Sequence, residues 1–240
     1  MIAAGQNTGS DPVQDDAGRD GAASRAGFTL LELLVVIAIL GLLVVAFTPA
    51  LSSALGQGDV TETEARQLEL STMIDAYQRY YGEYPTDDFS ILVKDKQAGW
   101  QFGADNGKNT GIESLVLHLS FESKAGRLDQ RLDWLANTDS DKAPVEIPLL
   151  GSRERYEVVD SWGTPMAYFS GSCGSGYQGR QRILGAAIEG ADALELDAQA
   201  WKNPSTGQYL NPRRYQLISA GPDLAFNTDD DIVFPKVPRD

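Results

Sequence analysis

Apolar positions crowd the first quarter of this chain. From Leu33 to Phe47 there are 15 consecutive residues without a polar side chain. Such a run is apolar all round, as a lipid-embedded helix is, rather than apolar along one stripe. Residues 28–51 would extend about 36 Å as a helix at 1.5 Å per residue, enough to cross a hydrocarbon core of about 30 Å. The pattern then changes. Leu70, Met73, Ile74, Tyr77 and Tyr81 recur at spacings of three and four, with Glu69, Asp75, Gln78 and Arg79 on other faces. Residues 52–84 therefore read as an amphipathic continuation of the same helix, its stripe packed on a globular part. Gly82 and Pro85 end it.

Thr110 and Glu113 stand at capping-box spacing ahead of a short amphipathic helix carrying Ile112, Leu115, Val116 and Leu119. Residues 128–135 suggest another helical turn or two. Tyr156–Val159, Met166–Phe169 and Tyr215–Ile218 read as strands, with Trp162-Gly163-Thr164-Pro165 turning between the first two. The expected class is α+β: a long N-terminal helix spine, half transmembrane and half amphipathic, on a small antiparallel sheet with an acidic C-terminal loop. The segments are a leader at 1–27, the two helix halves at 28–51 and 52–84, and a head at 85–240. The head includes an insertion at 87–155 and the acidic loop at 219–233.

Charge narrows the function. The net charge is −14, and removing the leader's four aspartates and two arginines leaves −12. Phosphate backbones repel such a body, which disfavours nucleic acid as a partner, and divalent cations are attracted to it. Cys173 is the only cysteine, so no intrachain disulfide forms. His118 is the only histidine and sits between Leu117 and Leu119 on the short helix, a structural position. No nucleophile elbow and no His/Cys metal spacing accompany it, so no catalytic site is expected. Gly174–Gly179 spells G-x-G-x-x-G, but no βαβ unit surrounds it and it reads as a loop. Asn137, Asp139 and Asp141 alternate like part of a calcium loop, yet lack its Gly and closing Glu, and read as a solvated turn. Asp223 is followed by Asp229, Asp230 and Asp231. Adjacent carboxylates repel one another unless solvated or bound to a cation, and calcium takes six to eight oxygens in flexible geometry.

Glu32 lies at the mouth of the apolar run. A carboxylate at membrane depth costs on the order of 2.5–3.5 kcal/mol, so it marks function and needs a cation. It stands in Gly27-Phe28-Thr29-Leu30-Leu31-Glu32, and Pro49 falls 22 residues after Gly27. Three further stretches are Tyr80-Tyr81-Gly82-Glu83-Tyr84-Pro85-Thr86, Asp160-Ser161-Trp162-Gly163-Thr164-Pro165, and Ser219-Ala220-Gly221-Pro222-Asp223 with the aspartates behind it. Together they resemble the type IV pilin-like superfamily, and within it the major (G-type) pseudopilin of type II secretion. The leader here is longer and more acidic than the family's, and Leu224 and Asn227 stand where its loop has glycines.

The resemblance implies a course for the chain. A prepilin peptidase cuts between Gly27 and Phe28 and methylates Phe28. The protein waits in the bacterial inner membrane as a single-pass anchor in lipid, its head periplasmic. It then self-assembles into a helical, periplasm-spanning filament with other pseudopilins on an inner-membrane platform. Glu32 pairs with the amine of Phe28 on its own or a neighbouring subunit, and the segment from Gly41 to Pro49 loosens on assembly. Asp223, Asp230 and Asp231, with Asp229, bind calcium. Other readings are a surface type IV pilin, a minor tip subunit, a membrane-anchored enzyme, or a secreted protein cut near Ser52-Ser53-Ala54.

Overall fold

The computed structural model describes residues 29–88, 104–121, 128, 132–147, 150–171, 177, 179–185 and 193–236, with the backbone alone at 44–55, 121 and 132. The leader, Gly27, Phe28, Cys173 and most of the Gly174–Gly179 stretch lie outside the described residues. The chain forms two compact units, Met1–Pro49 and Ala50–Asp240.

Helix α1 covers Leu30–Tyr81. Its leucines, valines and isoleucines from Leu30 to Leu43 are exposed. Among the described residues no helix is long and apolar enough to cross a membrane. The described side chains stop at Leu43 within the run that the sequence carries on to Phe47, so the membrane expectation for 28–51 stands on sequence alone. At the other end Gly82 adopts φ +83° and its N–H bonds to the Gln78 carbonyl at 2.8 Å, a left-handed cap that glycine supplies without Cβ strain.

The second unit is built around the amphipathic stripe. Leu70 and Ile74 are fully buried and Tyr77 nearly so, packed with Ile112, Leu115 and Leu119 of helix α2, Thr110–Phe121. Each such aliphatic side chain contributes about 1.5–3 kcal/mol on burial. A 3-10 turn at Leu132–Trp134 follows, within the stretch 128–135 where a helical turn or two is expected. Among the described residues nine strands come next: β1 Leu135–Ala136, β2 Lys142–Ile147, β3 Ser152–Glu154, β4 Glu157–Val158, β5 Ala167–Ser170, β6 Arg180–Leu184, β7 Glu195–Gln199, β8 Tyr215–Ser219 and β9 Ile232–Phe234. Central strand β8 pairs antiparallel with β5 and β9; β1–β4, β2–β3 and β6–β7 form antiparallel two-stranded pieces.

The central sheet is covered on both faces. Tyr168, Tyr215 and Leu217 point into the core shared with α1 and α2, while Phe169, Ile218 and Val233 enter a second core with Ile183 and Ala198 of the β6–β7 hairpin. Strand β8 is consequently buried at every position, and its side chains alternate between two cores. The described part of 87–155 supplies much of the first core, through α2 and Trp134.

The capping box expected at Thr110 and Glu113 does not form. Thr110 is already helical and its hydroxyl donates to Asp105 Oδ2 at 2.8 Å. The Glu113 carboxyl is fully buried and makes no hydrogen bond among the described residues. The helix begins instead from Asn109, whose carbonyl accepts the Glu113 N–H at 3.0 Å.

Candidate functional site: the helix start and the acidic loop

Within the first unit, α1 opens on a reciprocal cap. Thr29 donates to Glu32 Oε2 from its backbone N–H at 2.8 Å and from its hydroxyl at 2.9 Å. The Glu32 N–H donates back to Thr29 Oγ1 at 3.2 Å. This is the Thr-x-x-Glu capping box, legible in the spacing but not read from it. The carboxylate is thereby fixed at the first turn, immediately after the sequence-predicted cut. Gly41 is exposed, with open space where a Cβ would stand.

The motifs of the second unit are joints between helix and sheet. In Asp160–Pro165, Asp160 Oδ1 accepts the N–H groups of Trp162 and Thr164 at 3.0 and 2.9 Å, and Oδ2 accepts the Ser219 hydroxyl at 2.7 Å. Burial holds its carboxyl above the usual carboxylate range despite those donors. Arg66 of α1 donates from one guanidinium nitrogen to the Val159 and Asp160 carbonyls at 2.9 and 3.0 Å. Gln67 donates to the Ile232 carbonyl at 2.7 Å. In the Tyr80–Thr86 stretch the Pro85 carbonyl accepts the Tyr168 hydroxyl at 2.7 Å, and the Thr86 carbonyl accepts that of Ser114 at 2.5 Å.

The C-terminal loop uses its aspartates to hold its own backbone. Asp223 Oδ1 accepts the Ala225 N–H at 2.8 Å. Asp230 accepts the Asp223 N–H at 3.2 Å and the Thr228 hydroxyl at 2.7 Å, and the latter bond most of all holds its carboxyl below the usual range. Asp231 Oδ2 accepts the Asn227 N–H at 2.8 Å, leaving a buried Oδ1 without a partner. Burial pushes the Asp231 carboxyl up to about 6, against the Asn227 and Thr228 N–H groups and reinforced by Asp223 and Asp230. Leu224 and Asn227 take φ values of +59° and +67°, so the positions where the resemblance expects glycine keep the glycine backbone. No three of the four aspartates converge: the described carboxylate groups with mutual oxygen distances within 4.8 Å are elsewhere.

His118 is half-buried, its Nδ1 donating to the Ser114 carbonyl at 2.8 Å and its ring edge-on to Tyr77 at 5.5 Å. It serves the packing of α2 on α1.

The prokaryotic N-terminal methylation motif matches residues 23–48. This supports a type IV pilin-like protein. The motif carries with it processing by a prepilin peptidase, membrane anchoring before assembly, and filament formation with other pilin-like subunits. It points to a structural protein rather than an enzyme, and the fold, a helix followed by small antiparallel sheets, is compatible with a pilin-like head. No curated protein and no solved structure matches the chain.

Proposed function

We propose that this chain is a pseudopilin-like structural subunit of a periplasmic type II secretion filament. It is cut after Gly27, methylated on Phe28 and assembled through α1. The carrying observation is the methylation motif over 23–48, within which a helix opens at Leu30 and its first turn fixes Glu32. The apolar side chains from Leu30 to Leu43 are exposed. Lipid covers them before assembly and neighbouring stems afterwards. Non-specific apolar contact sets no register; a carboxylate that needs an ammonium does, because leaving it unpaired in an apolar core is expensive.

The type II assignment, as against a surface pilus, rests on the Asp160–Pro165 joint and the acidic loop. In that loop calcium would be held by Asp223, Asp230 and Asp231, with Asp229. The unpartnered Asp231 Oδ1 and an all-carboxylate donor set fit a hard cation.

Mass spectrometry and N-terminal sequencing of the protein from native membranes test the reading. N-methyl-Phe28 is the expected start; a chain beginning near Leu55, or uncut, overturns it. Deletion of the gene then separates the machines. A secretion subunit leaves exported proteins in the periplasm, and a pilin removes a surface fibre.

A further inference from the structure

A second cluster of carboxylates lies in the core of the second unit, away from the C-terminal loop. Its centre is Glu113 on the inner face of α2. Glu113 is fully buried, and both its carboxyl oxygens lack a hydrogen-bond partner. Oxygens of Asp105, Glu113 and Asp141 all lie within 4.8 Å of one another, and so do oxygens of Glu113, Asp139 and Glu157. The turn expected from sequence to be solvated, Asn137–Asp141, is folded over the buried carboxyl.

The arrangement of donors resembles that of a ligand set. Asp105 Oδ2 is fixed by the Thr110 hydroxyl at 2.8 Å, and its buried Oδ1 has no partner. Asp141 Oδ2 is fixed by Arg155 at 2.5 Å, and its buried Oδ1 has no partner. Asp105 and Asp141 thus each have one oxygen held by a donor and the other, like both oxygens of Glu113, without a donor among the described residues. Glu157 and Asp139 flank them with both oxygens already held, Glu157 by Asn109 at 2.8 Å and the Thr138 N–H at 3.1 Å, Asp139 by Asn106 at 2.7 Å and the Asp141 N–H at 3.2 Å. Arg155 is the one cation whose contact with the cluster is seen among the described residues, set against five carboxyls.

A buried polar oxygen without a donor costs about 1–3 kcal/mol, and several in one place are not left so without a function. We propose that Asp105, Glu113 and Asp141 bind a divalent cation, calcium, which joins the start of α2 to the Asn137–Asp141 turn. The donor chemistry selects the ion. All ligands are carboxylate oxygens, which favours a hard cation over zinc, whose sites are built mainly from Cys and His. Magnesium retains most of its waters and a strict octahedron, which a core site does not accommodate; calcium accepts six to eight oxygens at variable geometry. Without the cation, burial and the neighbouring carboxylates push Glu113 up to about 11, so a proton takes the cation's place.

The test uses the full chain in detergent, dialysed against calcium at fixed free concentration, with bound metal counted by mass spectrometry. Comparing the chain with its Glu113→Gln variant isolates this site from whatever the C-terminal loop binds. The variant is expected to hold about one calcium fewer, to show a smaller calcium-dependent rise in Tm than the parent, and to melt no lower than the parent in chelator, since a neutral amide replaces a buried acid. Should Glu113→Gln not fold, Asp105→Asn at the half-buried rim gives the same comparison. Equal calcium content in parent and folded variant, or magnesium retained in preference to calcium at equal concentration, overturns the proposal.

Discussion

Thr29 and Glu32 cap the first turn of α1 reciprocally, and that bond holds the one carboxylate of the apolar stem at a fixed place. Two roles for Glu32 can therefore be separated by chemistry. Glutamine caps a helix at this position as glutamate does but carries no charge to pair with an amine. Glu32→Gln should leave membrane insertion and helix content unchanged while filament yield collapses. Filament yield equal to that of the parent would mean that capping is all Glu32 does. Thr29→Ala, which removes the cap and keeps the charge, should lower stability by about 1 kcal/mol with filaments still formed.

Arg66 ties α1 to the turn after β4 through the Val159 and Asp160 carbonyls. Arg66→Met keeps the aliphatic packing and removes these two charge-assisted bonds together with the ion pair to exposed Glu62. The expected loss is on the order of 2–3 kcal/mol, read as a lower Tm of the full chain in detergent. A change below about 0.5 kcal/mol, the range of ordinary surface substitutions, would show that the latch is decorative.

Asp160 sets a pH dependence of definite sign. Burial raises its folded-state pKa above the unfolded value near 4. The folded state then binds the proton more tightly, so this stabilisation is complete below about pH 4 and is lost as pH rises through the folded value. Asp160→Asn keeps the acceptor for Trp162 and Thr164 and cannot titrate. Its Tm should fall less than the parent's as pH rises above about 4. Parallel melting curves across that range would contradict the assignment.

Two left-handed residues of the acidic loop respond oppositely to glycine. Leu224 at φ +59° carries the Cβ penalty of that region, and Leu224→Gly should raise stability by about 0.5–1 kcal/mol. Asn227 at φ +67° offsets the strain with two bonds to β7, accepting the Gln199 N–H at 3.0 Å and donating to the Asp197 carbonyl at 2.8 Å. Asn227→Gly should lower stability by about 1 kcal/mol. Gly221→Ala should be worse than either, because φ is +69° and the added Cβ would lie 2.4 Å from the Asp230 carbonyl oxygen. Differential scanning calorimetry of the three variants gives the order directly; Leu224→Gly melting lower than Asn227→Gly would refute it.

Sequence periodicity alone determined the long helix, its buried stripe through Leu70, Ile74 and Tyr77, the short helix over Ile112 to Leu119, and the strands at 157–158, 167–170 and 215–219. These are local signals, a repeat of 3.6 or 2 or a run of apolar residues, and each follows from burying one face of one element. The β6–β7 hairpin was not legible. Arg180, Arg182, Glu195 and Asp197 are exposed along an edge, leaving only Ile183 and Ala198 buried, too little apolar content to register as strands. Capping shows the same division. Thr29 with Glu32 and Thr110 with Glu113 have the same spacing in sequence, yet only the first pair closes a box. At the second, tertiary packing decides. Asn109 is held to Leu184, Thr138 and Glu157, α2 starts a residue earlier than the Thr110 box would have it, and Glu113 turns into the core to meet Asp105 and Asp141. The sequence separations between these acids carry no local pattern. Only folding brings together carboxylates that electrostatics alone would keep apart.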